Sequence, residues 1–535
     1  MTLSFLSKAV SPQRTRAERQ RRRLVVVLAA GLASGCLLGG CGSVATEPGT
    51  STSAQTQTRT QPARHRSSPP RAHPNVPNKP ARPAKLQRKP KRPRYVIVTV
   101  VNGDTNRRVA GATVSVGART ASSNKHGQAI VRVRRRATLI VRASADGYST
   151  RSQTFSFRPT SRRTIRIYRP ALQWPMYGVG PTRTQAQTAI RLRPPFRVVW
   201  SRSLRSLVEF PAVVSDGMAY VANASGTVWA ISMRTGAVAW SRRLRTRMAA
   251  SPAVAGKSLV VHTMGNGTVY VLRRSDGRIL LRKYIGSPIE SSPVIEHGID
   301  YFGSWNGRVY AFDLRRRRFR WIFHSGYKIT AAAALSRTSV FIGDYGGRLL
   351  VLNKRSGRLR FAPSVNGKIY GAAALYRGRV FVPSSTGNSL TAFTTSGRRL
   401  WTRVTGNYVY SSPAVWRGRV FFGSYNGVFY CLSAASGRTL WTLQTGGPIS
   451  GAAVVVSGVA YAGNFHHRIY GVGALSGRVL IRFPHGEYAP VSGNGQRLLF
   501  HGYSRIWALE PKSAKETAEK PGRARKPKRK ARSSR

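Results

Sequence analysis

The sequence predicts an all-β chain whose main body is a closed ring of small antiparallel sheets. Three observations carry that expectation. A repeat of about forty residues runs from residue 210 to the neighbourhood of residue 510. Each repeat is a series of short apolar runs cut by glycine turns. The last repeat lacks one strand, which a run ahead of the first can supply.

The clearest repeat spans 411–441, SSPAVWRGRVFFGSYNGVFYCLSAASGRTLW. Its runs SSPAV, RVFFGS, VFYCL and TLW are separated by RG, YNG and SGR, which are turn residues, so one repeat is a four-stranded meander. The order recurs in FPAVVSDGMAYVANASGTVWAISMRTGAVAW from 210, ASPAVAGKSLVVHTMGNGTVYVLRRSDGRILL from 250 and SSPVIEHGIDYFGSWNGRVYAFDLRRRRFRW from 291. More divergent copies begin at 331, 371 and 451. The closing apolar residues are Trp200, Trp240, Leu281, Trp321, Phe361, Trp401, Trp441 and Ile481, at intervals of 40 or 41 residues. One such sheet cannot bury both its faces alone and must stack on its neighbours, which is the logic of a β-propeller. Eight closing residues predict eight blades. Trp200, in PPFRVVWSRSL, has no repeat ahead of it, and 489–510 is a repeat without its last strand. Joining the two closes the ring and removes exposed sheet edges.

Ahead of the ring the composition changes three times. Residues 1–45 read as an export signal or membrane anchor: Arg14, Arg16, Arg19 and Arg21 to Arg23 precede the apolar stretch LVVVLAAGLASGCLLGGCGS. Leu38-Gly39-Gly40-Cys41 resembles a bacterial lipobox, which makes Cys41 the candidate for lipidation. Cleavage after Ser43-Val44-Ala45 and an uncleaved helix remain alternatives, and all three put the rest of the chain outside the cytoplasm. Residues 46–93 are rich in Pro, Arg, Ser and Thr without aliphatic runs, so a disordered, extended linker is expected. Strand-like runs return over 94–168. After 169–510, the propeller, residues 511–535 form a basic tail without apolar periodicity, expected to be disordered.

The chain carries 89 Lys and Arg against 16 Asp and Glu, a formal charge of +73. The propeller alone holds 45 basic and 10 acidic residues. Such a body is drawn to anionic polymers through its linker, tail and surface, although nucleic acid is not expected as its physiological partner. Only Cys36, Cys41 and Cys431 are present, so the folded part has no disulfide framework. Cys431 stands where sister repeats carry alanine and reads as a buried structural thiol.

Two resemblances sharpen this picture. VNGDTNRRVAGATVSV, GQAIVRV and RASADGYST resemble the carboxypeptidase regulatory-like β-sandwich, whose members are structural or adhesive and have no active site. SPAV at 251 and 412, YAFD from Tyr310 to Asp313, RTGAVAW ending at Trp240, SGRTLW ending at Trp441 and WPMYG at Trp174 resemble the pyrroloquinoline-quinone-type (PQQ-like) propeller repeat. That family includes quinoprotein dehydrogenases, which hold the quinone with calcium, acidic ligands, a catalytic Asp and a disulfide between adjacent cysteines. It also includes envelope lipoproteins whose propellers are scaffolds, among them the outer-membrane assembly lipoprotein.

This chain departs from the enzymatic pattern. It has no adjacent cysteines, and its propeller acids, Glu209, Asp216, Asp276, Glu290, Glu296, Asp300, Asp313, Asp344, Glu487 and Glu510, read as scattered over turns rather than converging on a cation. GKS at 256–258 lacks the upstream glycine of a phosphate loop. His466 and His467 are neighbours on a strand and point to opposite faces. No catalytic residue, metal ligand or cofactor is expected, and the resemblance implies a scaffold that binds an envelope protein or a cell-wall glycan.

A ligand would meet one rim of the ring. In a four-stranded blade the turn between strands two and three and the connection between blades emerge on the same side. The second turns carry Trp305, Tyr345, Tyr425, Phe465 and Tyr503; the connections carry Arg247, Tyr327, Lys328, Tyr370, Tyr408, Tyr410 and Tyr488. Aromatics and Arg dominate binding hot spots and stack on sugars. The plainer expectation is that these rings only cover the neighbouring blade.

Overall fold

A computed structural model describes residues 94–133, 138–156, 162–488 and 490–513. The candidate lipidation residue Cys41, the expected export signal and linker, and all but the first residues of the tail lie outside them. Strand dominates; the one helical element among the described residues is a single 3-10 turn, Pro170–Leu172.

The first described body is a pair of small sheets. Arg94–Asn102 is central in one, flanked by Gln128–Val133 and, in parallel, Arg162–Ile167; the other runs Arg119–Ser122, Thr113–Val116, Thr138–Ser144, Arg151–Ser156. Alternation in RYVIVTVV turns Val96, Val98 and Val100 inward, where they meet Val114, Val131, Val141 and Ile165, while Tyr95 faces solvent. Fully buried Asp104 ties this body to the segment round the 3-10 turn, accepting hydrogen bonds from the Arg169 amide and the Gln173 side chain at 3.0 Å each.

The main body is a β-propeller. Four-stranded meanders occupy 213–243, 253–284, 294–324, 334–361, 374–404, 414–444 and 454–483, and Val491–Gly493, Leu498–His501 and Arg505–Pro511 take their fourth strand from Phe196–Ser203. In that last sheet Ala508 lies opposite Trp200 and Pro511 opposite Phe196. The innermost strand of this sheet, Val491–Gly493, in turn contacts Val213–Ser215 of the first.

Where the closing residue is tryptophan, it fastens its sheet to the next. Trp401 donates its indole N–H to the Ala434 carbonyl at 3.3 Å, and Trp200, Trp240, Trp321 and Trp441 make the equivalent bond to Met233, Arg274, Lys354 and Ala474. The ring of Trp401 lies directly against Gly437 in the next sheet's final turn; a Cβ there would stand 2.7 Å from it, and φ is +72°. This contact explains why most repeats write SG or TG shortly before the closing residue; the repeat that follows Leu281, which carries no large ring, has Arg317 there instead. Within its own sheet the closing residue pairs across to a small or branched one: Ala230, Val271, Ala311, Val351, Ala392, Cys431, Gly471 and Ala508. Cys431 therefore fills a position that must be small; it is fully buried, and burial pushes its thiol up to about 12.

A segment with no strand signature occupies the centre. Residues 174–187 run past the innermost strands and satisfy amides that face the axis: Val254, Leu335, Leu375, Val415 and Val455 donate to the carbonyls of Pro175, Pro181, Thr182, Thr184 and Gln185. Trp174 bridges Val214, and Ala186–Gln187 adds a parallel strand beside Val455 and Val456. Arg183 is buried on this plug and donates to the carbonyls of Ala333 (2.8 Å), Ser292 (3.1 Å), Pro293 (3.0 Å) and Tyr177. Burial lowers its pKa to about 10, which still leaves it charged at neutral pH. Close by, His262 has one ring nitrogen 2.7 Å from the Ser291 carbonyl and the other 2.8 Å from the Asp300 carboxylate, both residues being fully buried.

Two alanine substitutions separate the parts of the interlock. Gly378 also has positive φ, +75°, but a Cβ there meets nothing within 4 Å. Gly378→Ala is expected to cost about 1 kcal/mol from backbone strain alone, and Gly437→Ala about 2 to 4 kcal/mol because Trp401 must also shift. Denaturant unfolding of the two variants checks the difference; equal costs would remove the ring contact from the account.

Candidate ligand-binding rim and axial pocket

The rim is assembled by a hydrogen bond that recurs in register. The amides of Trp305, Tyr345, Tyr425 and Phe465, each in a second turn, donate to the carbonyls of Pro288, Lys328, Tyr408 and Pro448, seventeen residues earlier in the preceding connection. Turn and connection are thus held side by side on one face.

On that face the rings form a chain. Tyr370 meets Tyr410 (centroids 5.4 Å apart), Tyr410 meets Tyr408 (5.8 Å) and Tyr425 (5.1 Å), Tyr425 meets Phe465 (5.7 Å), and Phe465 meets Tyr488 (5.1 Å). Further round, the Lys328 ammonium lies 3.1 Å from the Trp305 ring centroid and 5.1 Å from that of Tyr345, which also faces Lys368 at 5.6 Å. Tyr327 is 51% exposed and packs under Arg348. Tyr503 is half-buried and its carbonyl accepts the Val208 amide at 2.7 Å. Arg247 lies beside an open basic cleft with Arg243, Arg245, Ser225 and Thr246. Many rim rings touch one another, as the covering role requires, yet Tyr408 remains 43% exposed.

Inside the aromatic chain is a cavity of about 50 Å³ on the ring axis. Its wall repeats like the fold itself, because Glu290, Thr330, Tyr370, Tyr410 and Ser450 stand forty residues apart, one per sheet. Glu209, Phe210 and Tyr488 complete the wall, and Tyr177 of the central plug reaches it with its ring edge-on to Phe210 at 5.6 Å.

The propeller acids are therefore not all dispersed. Glu209 and Glu290, two repeats apart in sequence, face the same small space. Part of Glu209 still reaches the opening, but its carboxyl is packed round by protein. That burial, then the neighbouring Glu290, pushes it up to about 7 against the opposing pull of Arg247 and the Tyr370 hydroxyl. Glu290 is 6% exposed, its carboxyl raised by burial and partly restored by Lys328, Trp305 and Arg247. Neither its buried Oε2 nor the buried Trp305 indole nitrogen makes a close hydrogen bond, although Trp305 lies near enough to favour the ionised carboxyl. Sequence reasoning does not single out these two acids or the plug residue Tyr177; reading down one column of the aligned repeats finds Glu290.

A family model described as outer membrane protein assembly factor BamB matches residues 197–293 and 305–512, more than half of the chain. The chain belongs to this family of PQQ-type repeats. Outer membrane protein assembly factor BamB of Yersinia pestis is 26% identical over 141 residues, which are 23% of this chain and 36% of that protein. Crystalline BamB from Moraxella catarrhalis superposes with a TM-score of 0.52 at 16% identity, covering 59% of this chain and 99% of that one. Quinohemoprotein alcohol dehydrogenase from Comamonas testosteroni gives 0.57 at 12% identity, covering 64% and 81%. Identities this low establish the propeller and carry no chemistry.

The quinone and calcium of the dehydrogenase branch do not fit the pocket of this BamB-family chain. About 50 Å³ holds a few waters, not a fused ring system. No group of three or more His, Cys, Asp or Glu that could hold a metal occurs among the described residues, and the described cysteine, Cys431, is buried in a sheet.

The raised carboxyl gives a testable sign. A glutamate with a folded pKa near 7 costs nothing below the ordinary value of about 4.5, then destabilises increasingly up to pH 7 and constantly above it. Glu209→Gln is expected to raise stability at pH 8 by on the order of 2 kcal/mol and to leave it unchanged at pH 4. Thermal unfolding at both pH values checks this.

Proposed function

We propose that the chain is a non-catalytic, extracytoplasmic scaffold of a bacterial envelope that binds a partner protein through the aromatic rim. Membership of the BamB family supports the scaffold reading. The single observation that carries the rim is the unbroken chain of ring contacts from Tyr370 to Tyr488, set round an acid-lined pocket. A large, rigid aromatic surface with low side-chain entropy is what protein recognition uses. In this reading the eight meander sheets are eight blades closed by Phe196–Ser203, and the two-sheet body is a carboxypeptidase regulatory-like module that stiffens the stalk. Cys41 carries the lipid that holds the chain to the membrane.

A second reading has its own observation. The cleft of Arg243, Arg245 and Arg247, on a chain of net charge +73, suits a cell-wall polyanion, which would make the protein an adhesin held by charge.

Co-purification of the full-length protein from envelope membranes, washed at low and then high salt, separates the two. A defined protein retained at high salt, and lost with Trp305→Ala plus Tyr425→Ala, is the expected result, since exposed charge pairing is screened there. Release of everything by salt, with anionic polymer in the eluate, favours the adhesin; retention by the double variant ends the rim assignment. Metabolic labelling with a fatty-acid analogue is expected to mark the wild type and not Cys41→Ser.

A further inference from the structure

We propose that the axial pocket is a binding site for a protonated primary amine, held between the Glu209 and Glu290 carboxylates and the rings of Tyr370, Tyr410 and Tyr488. The inference rests on the rim being a binding face and names the chemistry its centre selects.

Three features point to a monocation. Glu290 is 94% buried, by its 6% exposure, and lines the cavity with an Oε2 that makes no close hydrogen bond; Lys328, Trp305 and Arg247 offset its desolvation only in part, since its pKa stays raised. A second carboxylate faces the same space, so an added positive charge relieves their mutual repulsion as well as pairing with Glu290. Beside the pocket the rim's aromatic faces already hold an ammonium: Lys328 lies over Trp305 and Tyr345, 3.1 and 5.1 Å from their centroids, and its charge favours ionised Glu290 without making a close hydrogen bond to Oε2. An anion would add to the acid repulsion. A volume of about 50 Å³ accepts an ammonium head with its first methylenes and no larger group.

Binding should be linked to protons. Glu209 faces Glu290, Arg247 and the hydroxyls of Tyr370, Tyr425 and Tyr488, and its carboxyl is half-neutral near pH 7. A cation selects the ionised form, so affinity is expected to rise from pH 6 to pH 8 and binding to release protons near neutrality.

The test is titration calorimetry of the full-length protein in detergent at pH 8 and pH 6. The probes are n-butylammonium chloride, the peptide acetyl-Gly-Lys-Gly-amide, its Gln counterpart and calcium chloride. Saturable one-to-one binding of butylammonium or the Lys peptide is expected, with no binding of the Gln peptide, at least tenfold weaker with Glu290→Gln and weaker at pH 6. Butylammonium binding marks a free amine as sufficient; binding of the Lys peptide alone marks a polypeptide source. Absence of binding by both amines at pH 8, binding indifferent to Glu290→Gln, or calcium binding in place of amine overturns the site. Unchanged thermal unfolding confirms that Glu290→Gln is folded, and Tyr410→Leu, also expected to weaken amine binding, serves if it is not. The scaffold is judged separately: Glu290→Gln that keeps the high-salt partner while amine fails to bind sinks the pocket alone. Amine binding with no retained partner sinks the scaffold alone.

Discussion

Everything on this ring depends on how one sheet grips the next. Each closing tryptophan lays its apolar face on a glycine of the neighbouring sheet and directs its single N–H to a carbonyl of the same turn. Both the contact and the bond are directional, so they set spacing and angle as well as contributing burial. Where the closing residue is Leu281, Phe361 or Ile481 the bond is absent and packing alone serves. Because every sheet is held at a fixed offset from its neighbour, equivalent positions in successive connections are carried to the same axis. The pocket is a consequence of that geometry.

The pocket also sits in an unusual electrical setting. A chain with a large excess of arginine would be expected to offer cationic surfaces everywhere, and its outer cleft does. At the axis the sign reverses over a few ångströms, with Glu209 and Glu290 inside and Arg247, Lys328 and Lys368 around them. The buried Arg183 of the plug is also charged, but the groups its charge acts on are Tyr177 and Asp300, not these two acids.

The parts of this structure that were legible in the sequence are those written in side-chain periodicity. Spacing of the closing residues revealed the meanders, the unpaired run around Trp200 pointed to its place beside the last repeat, and the alanine column explained Cys431. Second turns and connections could be placed on one face for the same reason. The plug could not be read, because residues 174–187 act through backbone carbonyls and carry no apolar alternation. Nor could the meeting of Glu209 with Glu290, which depends on the curvature of the ring and the width of its axis. Local pattern sets strands; only closure decides which distant residues become neighbours.

The pairing of Phe196–Ser203 with Arg505–Pro511 has a temporal consequence. Trp507 and Ser201 are partners across roughly three hundred residues of chain, so the first strand of the ring is the last to find its mate. Until then Val198 and Val199, together with the plug's unpaired carbonyls, travel with an open edge that other chains could join. Such a long-range contact slows the final step. A chain closed in this order cannot lock its ring before its last segment has been made.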